Sequence, residues 1–153
     1  METETYASLL SSIAQILTRF NGVGIAANQL GINDRFFVAL IPGVGPKMFI
    51  DPRIVVQGKE IESEEGCLSI PGYYDTIIRY EEVHINYLDM DGDQFEETYT
   101  GHEAVVIQHE VDHLNGILFI DHLPAHRKQR AIKKVETWKR RNGFKHKSEY
   151  PTT

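Results

Sequence analysis

An α+β fold is what this sequence predicts: antiparallel β-strands around a central helix, with an amphipathic helix before them and a basic helix after. Three observations carry that reading. The chain opens on apolar residues at helical spacing, and its middle alternates strand-like runs with turn signals. Two further helical stretches follow, the first bearing paired histidines and the second rich in Lys and Arg.

Each element has its own signal. Tyr6, Leu9, Leu10, Ile13, Ile16, Leu17 and Phe20 recur at i, i+3, i+4 and i+7, the stripe of an amphipathic helix. Asn21-Gly22 closes it, because both residues tolerate the left-handed conformation. Residues 35–41, 48–50 and 53–57 read as strands, and Pro71-Gly72 reads as a sharp turn. Val83, Ile85 and Tyr87 alternate with polar neighbours, Asp91-Gly92 marks a hairpin turn, and residues 94–100 return. A helix is expected over about 103–114, ended by Asn115-Gly116, and Pro124 suits the first position of the last helix. With no repeat or linker in between, residues 1–153 form one domain, with 124–147 its basic helix and tail.

Composition sets bounds on function. A chain of 153 residues that is 41 % hydrophobic is too apolar to be disordered. Its longest wholly apolar run, residues 36–41, is far short of the ~18 residues a membrane helix needs. The start, Met1-Glu2-Thr3-Glu4-Thr5, is acidic where a secretory signal is basic. One cysteine excludes an internal disulfide and suits a reducing compartment. The expectation is a monomer without membrane attachment, in the cytoplasm, in an organelle's matrix or stroma, or in host cytoplasm if the source is viral. Charge is uneven: residues 1–123 hold 6 basic and 20 acidic side chains, residues 124–153 hold 10 basic and 2 acidic. The basic end suits contact with phosphate, and equally a solvated helix face whose other side (Ala131, Ile132, Val135, Trp138) packs on the body.

The sharpest chemical signal is His109-Glu110-Val111-Asp112-His113. Histidines at i and i+4 share one helix face, about 6 Å apart at Cβ, and can grip one divalent ion through two ring nitrogens. Glu110 falls beside them, placed to handle the proton of a water whose pKa the ion lowers toward ~7. Asp112 is a candidate to fix one histidine ring, and Arg79 to pair with a carboxylate nearby. A third protein ligand is needed, and the sequence leaves it open. The position a metzincin gives to histidine is Phe119; Glu136 has thermolysin-like spacing; His122 is near; and Cys67 is the lone thiol, after Gly66. A third segment, residues 22–29, packs small residues before Gln29, whose amide could donate to an oxyanion. It lacks the dinucleotide-binding pattern, since position 27 is Ala, and alone it reads as a helix-terminating loop.

Together, Gly-Val-Gly-Ile-Ala-Ala-Asn-Gln at 22–29, Glu-Gly-Cys-Leu-Ser at 65–69 and His-Glu-Val-Asp-His at 109–113 resemble, in order, the three motifs of the peptide deformylase family. The resemblance covers about residues 21–123. It implies Cys67, His109 and His113 as metal ligands, with water fourth, and Glu110 as general acid–base. It also implies Gln29 and the Leu68 backbone N–H as oxyanion donors. The ion it implies is Fe2+, with Zn2+, Ni2+ or Co2+ as alternatives, and the activity is removal of the formyl group from N-formylmethionyl nascent peptides. Val23, Gly24, Gly66, Val105 and Val106 match its substrate-binding positions; Tyr74 stands where many bacterial members carry an Arg. A ribosome-docking role for the basic helix is implied too. Two competing readings remain: a small zinc endopeptidase using Glu136, and a catalytically idle ribosome-binding module with a structural metal.

Overall fold

The computed structural model describes residues 2–67 and 69–143. Helix α1 (Thr3–Phe20) ends at Asn21, which is left-handed at φ 53°, as the Asn-Gly pair leads one to expect. Strands β1 (Gly24–Ala26), β2 (Phe36–Ile41), β3 (Gly45–Cys67), β4 (Ile70–Leu88) and β5 (Gln94–Thr100) form one antiparallel sheet in chain order. Helix α2 (Gly101–Leu114) carries the histidine pair, and α3 (Ala125–Arg141) follows a short 3-10 turn at Phe119–His122. No helix among the described residues is long and apolar enough to cross a membrane.

The run Phe-Phe-Val-Ala-Leu-Ile of β2 lacks polar alternation because both faces of this strand are covered. Phe37 and Ala39 join Phe49, Val83, Ile85 and the α2 residues Ala104, Ile107 and Val111 in one core. Phe36 and Val38 face the other way, onto Tyr6, Ile13 and Leu17 of α1. A third cluster fastens α3 and the 3-10 turn to β4 through Ile70, Tyr73, Ile77, Phe119, Ala131 and Val135.

Several expectations need correction. The strands over 48–50 and 53–57 are parts of one strand, β3, which runs on to Cys67. It bends at register shifts against β4 between Ile50 and Arg53, Gln57 and Glu60, and Glu65 and Cys67. Pro52, with no N–H to give the ladder, sits at the first shift, where Asp51 takes a positive φ of 48°. Pro71-Gly72 does not turn the chain: β4 continues through it, and Gly72 at φ +80° makes room for Trp138, whose Cδ1 would lie 2.8 Å from a Cβ there. Residues 22–29 form strand β1 and a single 3-10 turn rather than a plain loop. Helix α2 starts two residues early, at Gly101, and Pro124 caps α3 from outside rather than beginning it.

Candidate metal centre

Three elements bring the chemical groups together. α2 projects His109 and His113 one turn apart, the hairpin end of β3 supplies Cys67, and the 3-10 turn after β1 supplies Gln29. The register shift just before Cys67 is the kind of irregularity that re-aims a side chain beside a site. Nε2 of His109 and Nε2 of His113 are 3.0 Å apart, and Cys67 Sγ is 3.2 Å from His113 Nε2. Donors on a tetrahedral ion with bonds of about 2.0–2.3 Å stand roughly 3.3–3.6 Å from one another, so this trio is drawn together to nearly that spacing. One thiol and two imidazoles are a donor set for a borderline or soft divalent ion, and the residues present fit one. Glu136 lies on α3 and is not in this group, nor is His122, which instead meets Asp112 at 2.8 Å.

Behind the histidines runs a chain of charges. Glu65 Oε1 accepts from His109 Nδ1 at 2.9 Å, which leaves Nε2 to face the thiol. Arg79 grips the same carboxylate through Nε and Nη2, both at 2.8 Å, and reaches Asp112 with Nη1 at 2.6 Å. Arg79 and Glu65 are only 4 % and 6 % exposed. Burial pushes the Glu65 carboxyl up, but the guanidinium and the His109 ring outweigh it and hold the group down to about 2. Burial likewise opposes charge on His109, yet hydrogen bonding to Cys67 and Glu65 raises it to about 10. His113, desolvated and beside His109, falls to about 3. The expectation for Arg79 is met twice over. That for Asp112 is not: it lies outside the pair of facing histidines and binds Arg79 and His122, while Glu65 orients His109.

Glu110 is buried at 4 % exposure, and its Oε1 has no hydrogen-bond partner. Desolvation lifts its carboxyl to about 7. Gly24 permits that placement, because a Cβ there would stand 2.8 Å from Glu110 Oε2. Gln29 is held by its own backbone: Oε1 accepts from the Ala26 N–H at 2.8 Å, which turns the amide toward Ser69 Oγ (2.8 Å) and Cys67 Sγ (3.5 Å). Leu68 lies outside the described residues. A cavity of about 300 Å³ opens on this constellation. Val23, Gly24, Gly66, Tyr74, Val105 and Val106 all border it, with Gln29, Cys67, His109 and Glu110; His113 sits behind.

A sequence profile for polypeptide deformylase matches residues 1–129. The chain belongs to the polypeptide deformylase family. A peptide deformylase of Maricaulis maris is 41 % identical over 133 residues, covering 84 % of this chain and 76 % of that one. One from Caulobacter vibrioides is 37 % identical over 143 residues, 90 % of this chain and 83 % of its own. The crystal structure of a peptide deformylase from Legionella pneumophila superposes with a TM-score of 0.85 at 38 % identity, covering 94 % of this chain and 86 % of that one. The Ehrlichia chaffeensis enzyme in complex with actinonin superposes at 0.83 with 32 % identity, covering 91 % and 87 %.

Two deformylase-site features escape a reading of sequence. One is the role of Glu65, a member of the second motif two positions before Cys67, whose signal as a buried ion-pair partner is a lone Arg79 set among the apolar residues of β4. The other is Gln108, buried at 5 %, which pins α2 to β4 by accepting from the Tyr80 N–H (3.0 Å) and donating to the Tyr80 carbonyl (2.8 Å). Asn28 adds a third tie, donating to the His113 carbonyl at 2.6 Å.

Proposed function

We propose that this deformylase removes the formyl group from the N-terminal formylmethionine of nascent polypeptides, with Cys67, His109 and His113 holding one divalent ion. The observation that carries the reading is the meeting of those three donors beside a cavity lined by Cys67, His109 and Glu110, whose Oε1 has no hydrogen-bond partner. When bound, the ion supplies Lewis acidity and lowers the pKa of water to near neutrality. Glu110 accepts the proton of the attacking water and delivers it to the leaving amine; water oxygen joins the formyl carbon, the C–N bond breaks, and formate leaves. The Gln29 amide, fixed by the Ala26 N–H, donates to the oxygen on which charge develops, and the Leu68 N–H is the second donor. Val105 and Val106 wall the pocket for the methionine side chain.

The family resemblance favours Fe2+, with Zn2+, Ni2+ or Co2+ as substitutes; one thiolate and two imidazoles accept any of these and do not choose among them. The thiolate also suits a reducing compartment such as the cytoplasm. The basic helix supports a ribosome contact. Arg130, Lys133, Arg140 and Arg141 of α3 are exposed, whereas Arg127 pairs with Asp75, Lys128 with Asp121, and Lys139 is buried. Size favours a monomer.

The test is formate release from a short formylmethionyl peptide by anaerobically prepared, Fe2+-loaded protein. Wild-type turnover should fall about 10²–10⁴-fold in Glu110→Gln with the metal retained. Full metal occupancy in Cys67→Ser, or no turnover with one equivalent of metal bound, overturns the assignment.

A further inference from the structure

The donor trio is split between two parts of the fold, and one short turn touches both. His113 stands in the last turn of α2, and Cys67 at the end of β3. The 3-10 turn Ala27–Leu30 is closed on itself: Gly31 N–H donates to the Asn28 carbonyl (3.3 Å), and Ile32 N–H to the Ala27 carbonyl (3.1 Å). Consecutive side chains in such a turn point about 120° apart. Gln29 goes to the strand side, donating to Ser69 Oγ and Cys67 Sγ. Asn28 goes to the helix side, where its Nδ2 donates to the His113 carbonyl at 2.6 Å.

That carbonyl belongs to the last turn of α2, where intrahelical donors run out. It also accepts from Gly116 N–H at 3.0 Å, so its hydrogen bonding does not depend on Asn28. Asn28 is exposed and does not border the cavity, so neither core packing nor contact with substrate accounts for it. A second tie at the same helix end offers a comparison. Arg35 Nη1 reaches the Leu114 carbonyl (3.4 Å) and Asn115 Oδ1 (3.1 Å), and its Nη2 reaches the Pro52 carbonyl (3.4 Å). It joins α2 to the bend of β3 but bonds to residues beyond the metal-site histidine.

We propose that Asn28 is a positioning residue: it holds the His113 backbone while its neighbour Gln29 holds the thiol side, and so sets the grip of His113 and Cys67 on the divalent ion. The inference rests on the deformylase reading of this site and adds a residue to it. Because Asn28 and Gln29 share one closed turn, the ion's donors and the amide that meets the developing charge stay in register.

The experiment uses the full chain loaded with Co2+, whose absorption bands follow the placement of its donors. Asn28→Asp keeps the side chain's shape and removes the donor, Asn28→Ala removes both, and Arg35→Gln loosens the neighbouring tie. Release of Co2+ to excess chelator should quicken about tenfold in both Asn28 variants, with shifted bands. In the Fe2+-loaded variants kcat for formate release should fall about tenfold while KM stays within about twofold. Arg35→Gln should lower Tm yet keep wild-type bands and release. Wild-type bands and release in the Asn28 variants, or equal acceleration in Arg35→Gln, overturns the proposal. Faster release with no turnover in any form, wild type included, keeps the positioning role and sinks the deformylase reading; turnover with unchanged release does the reverse.

Discussion

Replacing Arg79 by Met leaves the Glu65 carboxylate buried at 6 % exposure with only His109 as partner, and strips Asp112 of its strongest contact. Removing one member of a buried pair costs about 3–5 kcal/mol, because the remaining charge is stranded away from water. The titration gives the same scale. A carboxyl held at about 2 rather than its ordinary 4.5 contributes about 3 kcal/mol at neutral pH. For a chain of this length each kcal/mol moves the midpoint by about 2–4 °C, so Tm should drop by about 10–15 °C at pH 7. The sign follows from the depressed value: the Glu65 contribution is fully present above about pH 4.5 and disappears as pH falls toward 2. The wild type should therefore lose stability across that window and the variant much less. Adding Glu65→Gln, which replaces the stranded charge by a neutral amide, should restore about half the loss. Thermal and urea unfolding from pH 2 to 7 on chelator-treated protein provide the assay. A drop below about 3 °C at pH 7, or a further loss in the double variant, would refute the reasoning.

Three more outcomes are expected. Glu110→Gln removes a buried carboxyl whose Oε1 has no hydrogen-bond partner, so urea unfolding should show it no less stable than wild type, even gaining up to about 1 kcal/mol, while activity collapses. Gln108→Leu leaves the Tyr80 N–H and carbonyl without their side-chain partner and should cost about 1–3 kcal/mol in the same measurement. Gly24→Ala sets a methyl 2.8 Å from Glu110 Oε2 and 3.1 Å from Val106; displacing the carboxyl should lower kcat by about 100-fold with Tm little changed.

What the sequence made legible and what it hid divide by the range of the interactions. α1, the turn at Asp91-Gly92 and the histidine pair on α2 depend on spacing within a few residues, and each was readable. Spacing alone leaves Cys67 one of several third-ligand choices, since nothing local says that the end of β3 reaches α2; only the surrounding Glu-Gly-Cys-Leu-Ser motif singles it out. The length of β3 and β4 was hidden because charged residues such as Glu60, Glu62 and Glu64 line an exposed face that has no apolar alternation to betray a strand. Pro71-Gly72 looked like a turn because its reason is remote: Trp138 on α3 occupies the space a side chain would need. The partner of Asp112 is hidden for the same cause, since Arg79 lies 33 residues away.

The separations along the chain have a consequence for when the site can exist. Gln29 meets Cys67 across 38 residues, Cys67 meets His113 across 46, and Asn28 meets His113 across 85. During synthesis the first motif is made long before α2 has left the exit tunnel, and until then neither the donor trio nor the fixed amide of Gln29 can assemble. No amino-terminal fragment ending short of His113 can hold all three donors, so the site assembles only after α2 has joined the sheet.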